Sequence, residues 1–457
     1  MNTLIAIAGL GIISLIAEIF NLRKAIVPVA IIGLLAILGL TVREFDYEQA
    51  SYFNNMVVTN NYSVTFSSLF IILTIFLVAL SPDFHKNHKA KISDFIAIKL
   101  FLLMGAISMV SFGNLAMFFL GIEVLSIALY VLAASEPKNV KSNEAGMKYF
   151  LMGAFASGIL LFGIALVYGA TGTFDTAAIY KVVVAGNVPG WFFIGIIMLS
   201  IGLLFKIAAA PFHFWAPDVY EGSPTLTTAT MSTLAKVAAM AAFFKLMKSL
   251  NYEVPGTYVI TIIILAGLSM TVGNIMALKQ TNVKRMLGFS GISHAGFMLM
   301  VFLNPPATTG TLLYYAAAYT FAGIAAFAVV LTVCSDKGNE EVYNFNGLGK
   351  TNPVMAAILT CSLLSMAGIP IFSGFFAKLF LFNQALNVGQ VGIVIIAVIN
   401  SIISVGYYFK LILAMYTKDS TEEKQAVPFM YGTVAVISIL LNIAIGIWPD
   451  LVIGLLK

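Results

Sequence analysis

The chain has 457 residues, 60% of them hydrophobic and only 10% charged, with a formal net charge of +5. Soluble domains carry about 25% charged residues, and a mean hydropathy of +0.97 excludes a soluble enzyme and describes a polytopic membrane protein. The two cysteines, Cys334 and Cys361, lie in apolar surroundings and are too few for a disulfide framework or for an iron–sulfur cluster held by this chain.

Apolar segments of about 20 residues recur along the whole length, each long enough to cross the hydrocarbon core as a helix. None shows the short alternating pattern of a membrane barrel strand. The first, Leu4 to Phe20, is followed by Asn21 and the Arg23–Lys24 pair instead of a small-residue cleavage site, so it reads as a retained helix. Hydropathy places about fourteen spans, at 3–20, 25–42, 62–81, 94–111, 114–134, 147–169, 190–215, 225–249, 257–278, 285–303, 311–334, 353–383, 391–416 and 428–449. The predicted fold is all-α and polytopic. Neither a Walker loop nor a GxGxxG turn after a strand occurs, so nothing in the chain supports ATP or NAD binding.

Two spans, the seventh and the twelfth, are longer than one crossing requires and contain Pro211 and Pro370. A proline removes a backbone hydrogen bond, so both spans are predicted to be broken helices. Most of the 25 lysines and arginines fall in loops after odd-numbered spans, including Lys89, Lys91 and Lys424. That face is expected to be cytoplasmic, with both termini on the external side. The polar connections Asp83–Asp94 and Ser335–Asn352 read as solvated loops, and Asp218 to Pro224 reads as a tight turn with a docking role as an option.

A faint internal repeat is legible. Gly121-Ile122-Glu123 in span five and Gly291-Ile292-Ser293-His294 in span ten are each followed two spans later by a proline-broken helix carrying a lysine. The offset of five spans is odd, so the second copy enters the membrane upside down. The predicted organisation is three N-terminal helices at 1–93, a five-helix repeat of helices 4–8 at 94–250, its inverted partner of helices 9–13 at 251–420, and a C-terminal helix at 421–457.

Glu123, Lys206, Lys236 and Lys378 fall deep within predicted spans, and His294 adds a fifth titratable group. Each charge left in lipid costs about 2.5–3.5 kcal/mol on insertion scales, so these groups must face one another or a hydrated cavity. Burial disfavours the charged forms of lysine and glutamate alike, which brings both closer to exchanging protons near neutrality. The chemistry expected of such a line is proton relay. A fixed Glu123–Lys206 ion pair, close packing around Lys236, a hydrogen bond from His294 to a neighbouring helix and snorkelling of Lys378 are the structural alternatives. Lys245 and Lys248 are expected to snorkel from the end of span eight, and His213 to be a satisfied loop histidine.

The stretches FFLGIEVLSIALYVL, FKIAAAPFHFWAPDVYEGSP with Lys236 beyond it, KRMLGFSGISHAGF and AGIPIFSGFFAKLFLF together resemble the antiporter-like membrane subunits of respiratory complex I over nearly the whole chain. Within that family the chain looks like the bacterial N-type subunit. It keeps the first three helices, ends at Lys457 without a long lateral helix, and has Lys378 where the M-type carries glutamate. The resemblance implies proton translocation in a bacterial plasma membrane. Glu123 and Lys206 would be the glutamate and lysine of helices five and seven, Lys236 the connecting lysine, His294 a histidine between two half-channels, and Lys378 the lysine toward the external exit. It also implies that this chain holds no cofactor, and that NADH, FMN, iron–sulfur clusters and quinone belong to partner subunits. Neighbouring antiporter-like and small membrane subunits would flank it. A subunit of a multisubunit sodium/proton antiporter is the alternative, since it shares the broken helices and buried lysines.

Overall fold

A computed structural model of the chain describes residues 1–20, 22–46, 49–86, 92–186, 188–250, 256–335, 337–419 and 426–456. Every expected span falls on a helix: α1 (Asn2–Ile19), α2 (Arg23–Val42), α3 (Asn61–Ala79), α4 (Ile92–Ser111), α5 (Leu115–Ala133), α6 (Val140–Thr171), α7 in two pieces, α7a (Trp191–Lys206) and α7b (Trp215–Gly222), α8 (Thr225–Leu250), α9 (Gly256–Leu278), α10 (Val283–Leu299), α11 (Thr309–Cys334), α12 as α12a (Pro353–Ala367) and α12b (Ser373–Asn387), α13 (Val391–Thr417) and α14 (Phe429–Ile447). Among the described residues, twelve helices are continuous, long and apolar enough to cross a membrane, and α7 and α12 are interrupted. A short antiparallel hairpin, β1 (Ala50–Tyr52) and β2 (Val57–Thr59), joins α2 to α3. α3 starts on a reciprocal cap, in which Asn60 Oδ1 accepts from the Ser63 N–H and Ser63 Oγ accepts from the Asn60 N–H.

In lipid, hydrophobicity alone does not say which helix face is inside, and burial separates the helices where composition does not. The most apolar window is 100% buried in α10, 94% in α11 and 89% in α8, but only 39% in α6, α9 and α13. The centre of the molecule is therefore α8, α10 and α11, and these are the helices that carry Lys236, His294 and a set of tyrosines.

Both predicted breaks are present, with two refinements. α7a stops at Lys206, so the lysine ends a half-helix instead of sitting in the middle of a whole one, and the break begins before Pro211. Ala208 is left-handed (φ +57°) within the break, a conformation that side-chain-bearing residues adopt at a cost of about 1–3 kcal/mol. The backbone polar groups freed there are taken up locally. Ala210 N–H donates to Ser269 Oγ of α9 at 2.9 Å, and the Trp215 indole N–H donates to the Phe205 carbonyl at 3.0 Å. Pro370 lies between α12a and α12b, where Gly368 (φ +88°) and Ile371 (φ +89°) are both left-handed.

Three connections differ from expectation. Asp218 to Gly222 continues α7b as a helix, and only Ser223–Pro224 form the turn. Ser335–Asn352 is not simply a solvated loop: Glu340–Val342 lies alongside Thr281–Val283, with the Val283 N–H donating to Glu340 O at 2.7 Å and the Val342 N–H to Thr281 O at 2.8 Å. The Asp83–Asp94 connection starts as a short helix, Ser81–Lys86. Its residues 87–91, with Lys89 and Lys91, lie outside the described residues, as do Lys424 and Lys457.

Candidate functional site

Glu123, Ser126 and Tyr130 stand at i, i+3 and i+7 on α5 and so share one face. Lys206, at the last position of α7a, reaches that face. Its amine donates to Ser126 Oγ at 2.6 Å and to the Tyr130 hydroxyl at 3.3 Å. The carbonyl end of a helix favours a cation, and the break puts Lys206 there. The direct Glu123–Lys206 ion pair is absent among the described residues. Ser126 takes the lysine instead, and Glu123 Oε1 is buried without a hydrogen-bond partner among those residues.

Beyond the break, α7b carries an aromatic stack toward the second lysine. Trp215 lies parallel to Tyr149 at 4.5 Å between ring centroids and edge-on to Tyr220 at 6.1 Å, and Tyr220 faces the Lys236 amine at 5.9 Å. Lys236 follows one turn of π-helix, Met231–Ala235, a local widening of α8 that the sequence does not announce. Only 1% exposed, its amine has no hydrogen-bond partner among the described residues. Its berth is cut into α10 by a glycine: a Cβ at Gly291 would lie 2.7 Å from Lys236 Nζ and 3.1 Å from the Tyr319 hydroxyl.

His294 is buried one helical turn from that berth. Its Nδ1 pairs with the Tyr315 hydroxyl at 2.7 Å, its Nε2 lies 3.4 Å from the Tyr408 hydroxyl, and its ring centroid is 4.7 Å from that of Tyr319. On the far side, Phe297 is 6.3 Å from the His294 ring and 4.7 Å from the Lys378 amine. Lys378, buried within α12b and not snorkelling, donates to the Ala367 carbonyl at 2.9 Å, the C-terminal residue of α12a. Each broken helix thus sets a lysine against the carbonyl end of its own first half.

Other groups depart from expectation. His213 Nδ1 is buried without a hydrogen-bond partner among the described residues. The Lys245 amine turns inward, donating to Val110 O at 2.7 Å with the Phe112 ring 4.7 Å away, whereas Lys248 reaches Thr309 Oγ1 at 3.1 Å from an exposed position. Lys99 was readable as a lysine within a span, and the fold gives it a job. Buried in α4, it donates to Leu77 O at 3.0 Å and Ser81 Oγ at 2.9 Å, closing the carbonyl end of α3. Ser126 and Tyr130 could have been found from helical spacing off Glu123; Tyr319, Tyr408 and Ser290 carry no such signal.

A cavity of about 190 Å³ opens where the α7b–α8 turn meets the start of α10, lined by Glu136, Lys141, Glu221, Lys284 and Glu340 among others. Lys284 bridges its walls, donating to Ser223 O and pairing with Glu340, both at 2.9 Å. Alongside, Arg285 of α10 reaches Asp218 at 2.6 Å and Glu221 at 3.2 Å, and Lys148 of α6 reaches Asp218 at 3.1 Å. The acid pair of α7b thus holds α7b to its neighbours.

Partial burial works to raise the Asp218 carboxyl, and the bonds from Arg285 and Lys148 outweigh it, so the group sits below its ordinary value. A carboxylate depressed in the folded state adds stability above its unfolded value, about 3.9, and loses it as pH falls through the lowered one. The melting temperature of the detergent-solubilised protein should therefore fall on acidification below about pH 4, and Asp218→Asn should flatten that fall. An identical acid slope in the variant would refute the assignment.

Among the described residues, no cluster of three or more His, Cys, Asp or Glu is placed to hold a metal ion. Residues 113–404 match the family model described as NADH:quinone oxidoreductase/Mrp antiporter, TM. Over the full length of both chains the sequence is 66% identical to NADH-quinone oxidoreductase subunit N of Flavobacterium johnsoniae. Among solved structures it resembles a chain of respiratory complex I from Thermus thermophilus with bound aureothin, at TM-score 0.87 and 28% identity, covering 99% of this chain and 98% of that one. A chain of the Mrp complex from Dietzia sp. has the same fold at TM-score 0.84 and 20% identity, covering 99% and 94%.

Proposed function

The chain belongs to the NADH:quinone oxidoreductase/Mrp antiporter membrane family, and from that premise we propose that its buried titratable groups carry protons across the membrane. It is a multi-pass membrane subunit of a bacterial proton-translocating NADH:quinone oxidoreductase, working beside other membrane subunits of that complex. Full-length identity of 66% to an oxidoreductase subunit favours this over a sodium/proton antiporter, for which the likeness is one of fold alone.

In this reading Glu123, Lys206, Lys236, His294 and Lys378 form the relay. Glu123 and the Ser126 that holds Lys206 share one face of α5, and the tyrosines around Lys236 and His294 link the next groups. Pro211 and Pro370 mark the breaks that free carbonyl ends for the two outer lysines. NADH, FMN, iron–sulfur clusters and quinone act in partner subunits, and both termini lie on the external side. Two inverted repeats, at 94–250 and 251–420, supply the half-channels. The repeat is supported by a matched close contact. A Cβ at Gly105 of α4 would stand 2.6 Å from Leu125 N of α5, and a Cβ at Gly273 of α9 would stand 2.6 Å from Ser293 N of α10.

The observation that carries the proposal is the Lys236 amine, buried without a hydrogen-bond partner among the described residues. A group that costs stability and builds nothing is retained for chemistry. The test uses bacterial membranes carrying Lys206→Ala, scored for assembly of the complex, NADH oxidation and proton uptake. The expected result is an assembled complex with proton uptake cut at least about tenfold. Undiminished pumping would remove Lys206 from the path.

A further inference from the structure

The two ring nitrogens of His294 meet two different tyrosines at unequal distances. Nδ1 has a short bond to Tyr315, 2.7 Å, while Nε2 has only a 3.4 Å approach to Tyr408. The Tyr408 hydroxyl is held elsewhere, 2.5 Å from Ser290 Oγ. Ser290 and His294 are i and i+4 on α10, so this one hydroxyl stands between two groups a single turn apart on the same face.

The inventory of donors couples them. A neutral imidazole has one N–H donor and one acceptor nitrogen, and a phenol has one O–H to give. With the Tyr408 O–H given to Ser290, its oxygen can only accept from His294 Nε2. With the O–H turned to His294, Nε2 must be the bare nitrogen, and the ring proton must sit on Nδ1. Rotation of one C–O bond therefore selects between two tautomers of the histidine.

Tyr408 is also well placed to do this without moving its helix. The adjacent Tyr407 hydroxyl donates to Asn274 Oδ1 of α9 at 3.1 Å, and Asn274 in turn donates to the Asn400 carbonyl of α13 at 3.0 Å. These bonds fix α13 against α9, leaving the freedom in the phenol hydroxyl.

We propose that Tyr408 is a positioning residue for proton transfer through His294, its hydroxyl shared between Ser290 and Nε2 so that it sets which ring nitrogen carries the proton. The inference rests on the reading that His294 lies in the proton path. Ser290 acts only by holding Tyr408. The change of tautomer breaks the N–H bond on one ring nitrogen and forms one on the other. The proton lost passes to the tyrosine hydroxyl on its side while the tyrosine on the other side supplies one, each phenol being neutralised by onward transfer along the path.

The test uses the complex in bacterial membranes with the variants Tyr408→Phe, Ser290→Ala, their double and Ser290→Thr. Each single variant is expected to assemble and to lower protons taken up per NADH by about three- to tenfold, the scale of one lost hydrogen bond. The double should be no worse than Tyr408→Phe, and Ser290→Thr, which keeps the hydroxyl, should restore pumping. Infrared difference spectra with ring-labelled histidine, assigned by subtracting His294→Gln, should show a changed tautomer in Ser290→Ala, a signal that lost packing would not produce. If His294→Gln pumps normally, the proton-path reading fails. If His294→Gln abolishes pumping while Tyr408→Phe and Ser290→Ala pump normally or keep the wild-type tautomer, that reading stands and the role given to Tyr408 is overturned.

Discussion

Lys236→Met should leave the complex assembled and no less heat-stable, while NADH-driven proton uptake falls at least about tenfold. The two effects have opposite signs because the Lys236 amine is buried and has no hydrogen-bond partner among the described residues. A buried polar group without a partner costs about 1–3 kcal/mol on the scale of protein mutations, and more if it is charged. Methionine keeps an unbranched, apolar chain of similar length in the berth between Gly291, Tyr319 and Tyr220 and removes that cost. A lysine retained for packing or pairing would behave otherwise, since breaking a buried pair destabilises by about 3–5 kcal/mol. Melting curves and proton uptake on the same membranes separate the cases. Lower stability together with unchanged uptake would leave Lys236 a structural residue.

Gly374→Ala should be the most damaging single-methyl change at the second break. An added Cβ would fall 1.8 Å from the Ser365 carbonyl oxygen, a backbone atom that cannot swing aside, and 2.7 Å from its carbon. The Gly374 N–H also donates to Ser365 Oγ at 3.2 Å, a bond that any retreat of α12b would break. Overpacking of a tight interior costs about 1–3 kcal/mol and more when backbone must shift. The readout is the amount of chain recovered in assembled complex and its melting temperature. Gly158→Ala is the matched control, on α6 with nothing within 4 Å of its added methyl, and helix propensity makes it neutral or stabilising by up to about 1 kcal/mol. Equal recovery of the two variants would show that α12a and α12b are not packed as described.

Much of the architecture could be read in the chain before folding. Helices in lipid must satisfy their own backbone and run about 20 apolar residues, so hydropathy locates them. Pro211 and Pro370 give away the breaks because proline cannot donate, and buried charges stand out because lipid makes them expensive. Those rules are local, and they found Glu123, Lys206, Lys236, His294 and Lys378. They did not find where each amine points. A direct Glu123–Lys206 pair is one of the alternatives the sequence leaves open, and Lys206 meets Ser126 instead, because α7a stops at the lysine and aims it along a face of α5.

What the sequence by itself determined is the class of protein, the span order, the two interruptions and the titratable groups that must avoid lipid. Only the tertiary structure decided the neighbours. Ser290 and Tyr408 are separated by 118 positions and Lys206 and Ser126 by 80, yet both pairs meet. The reason is that hydropathy is a one-dimensional signal fixed by the bilayer, whereas hydroxyl contacts depend on helix rotation and crossing, set by packing against several neighbours at once. A serine or tyrosine on an apolar helix looks the same whether it faces lipid, its own backbone or a buried lysine.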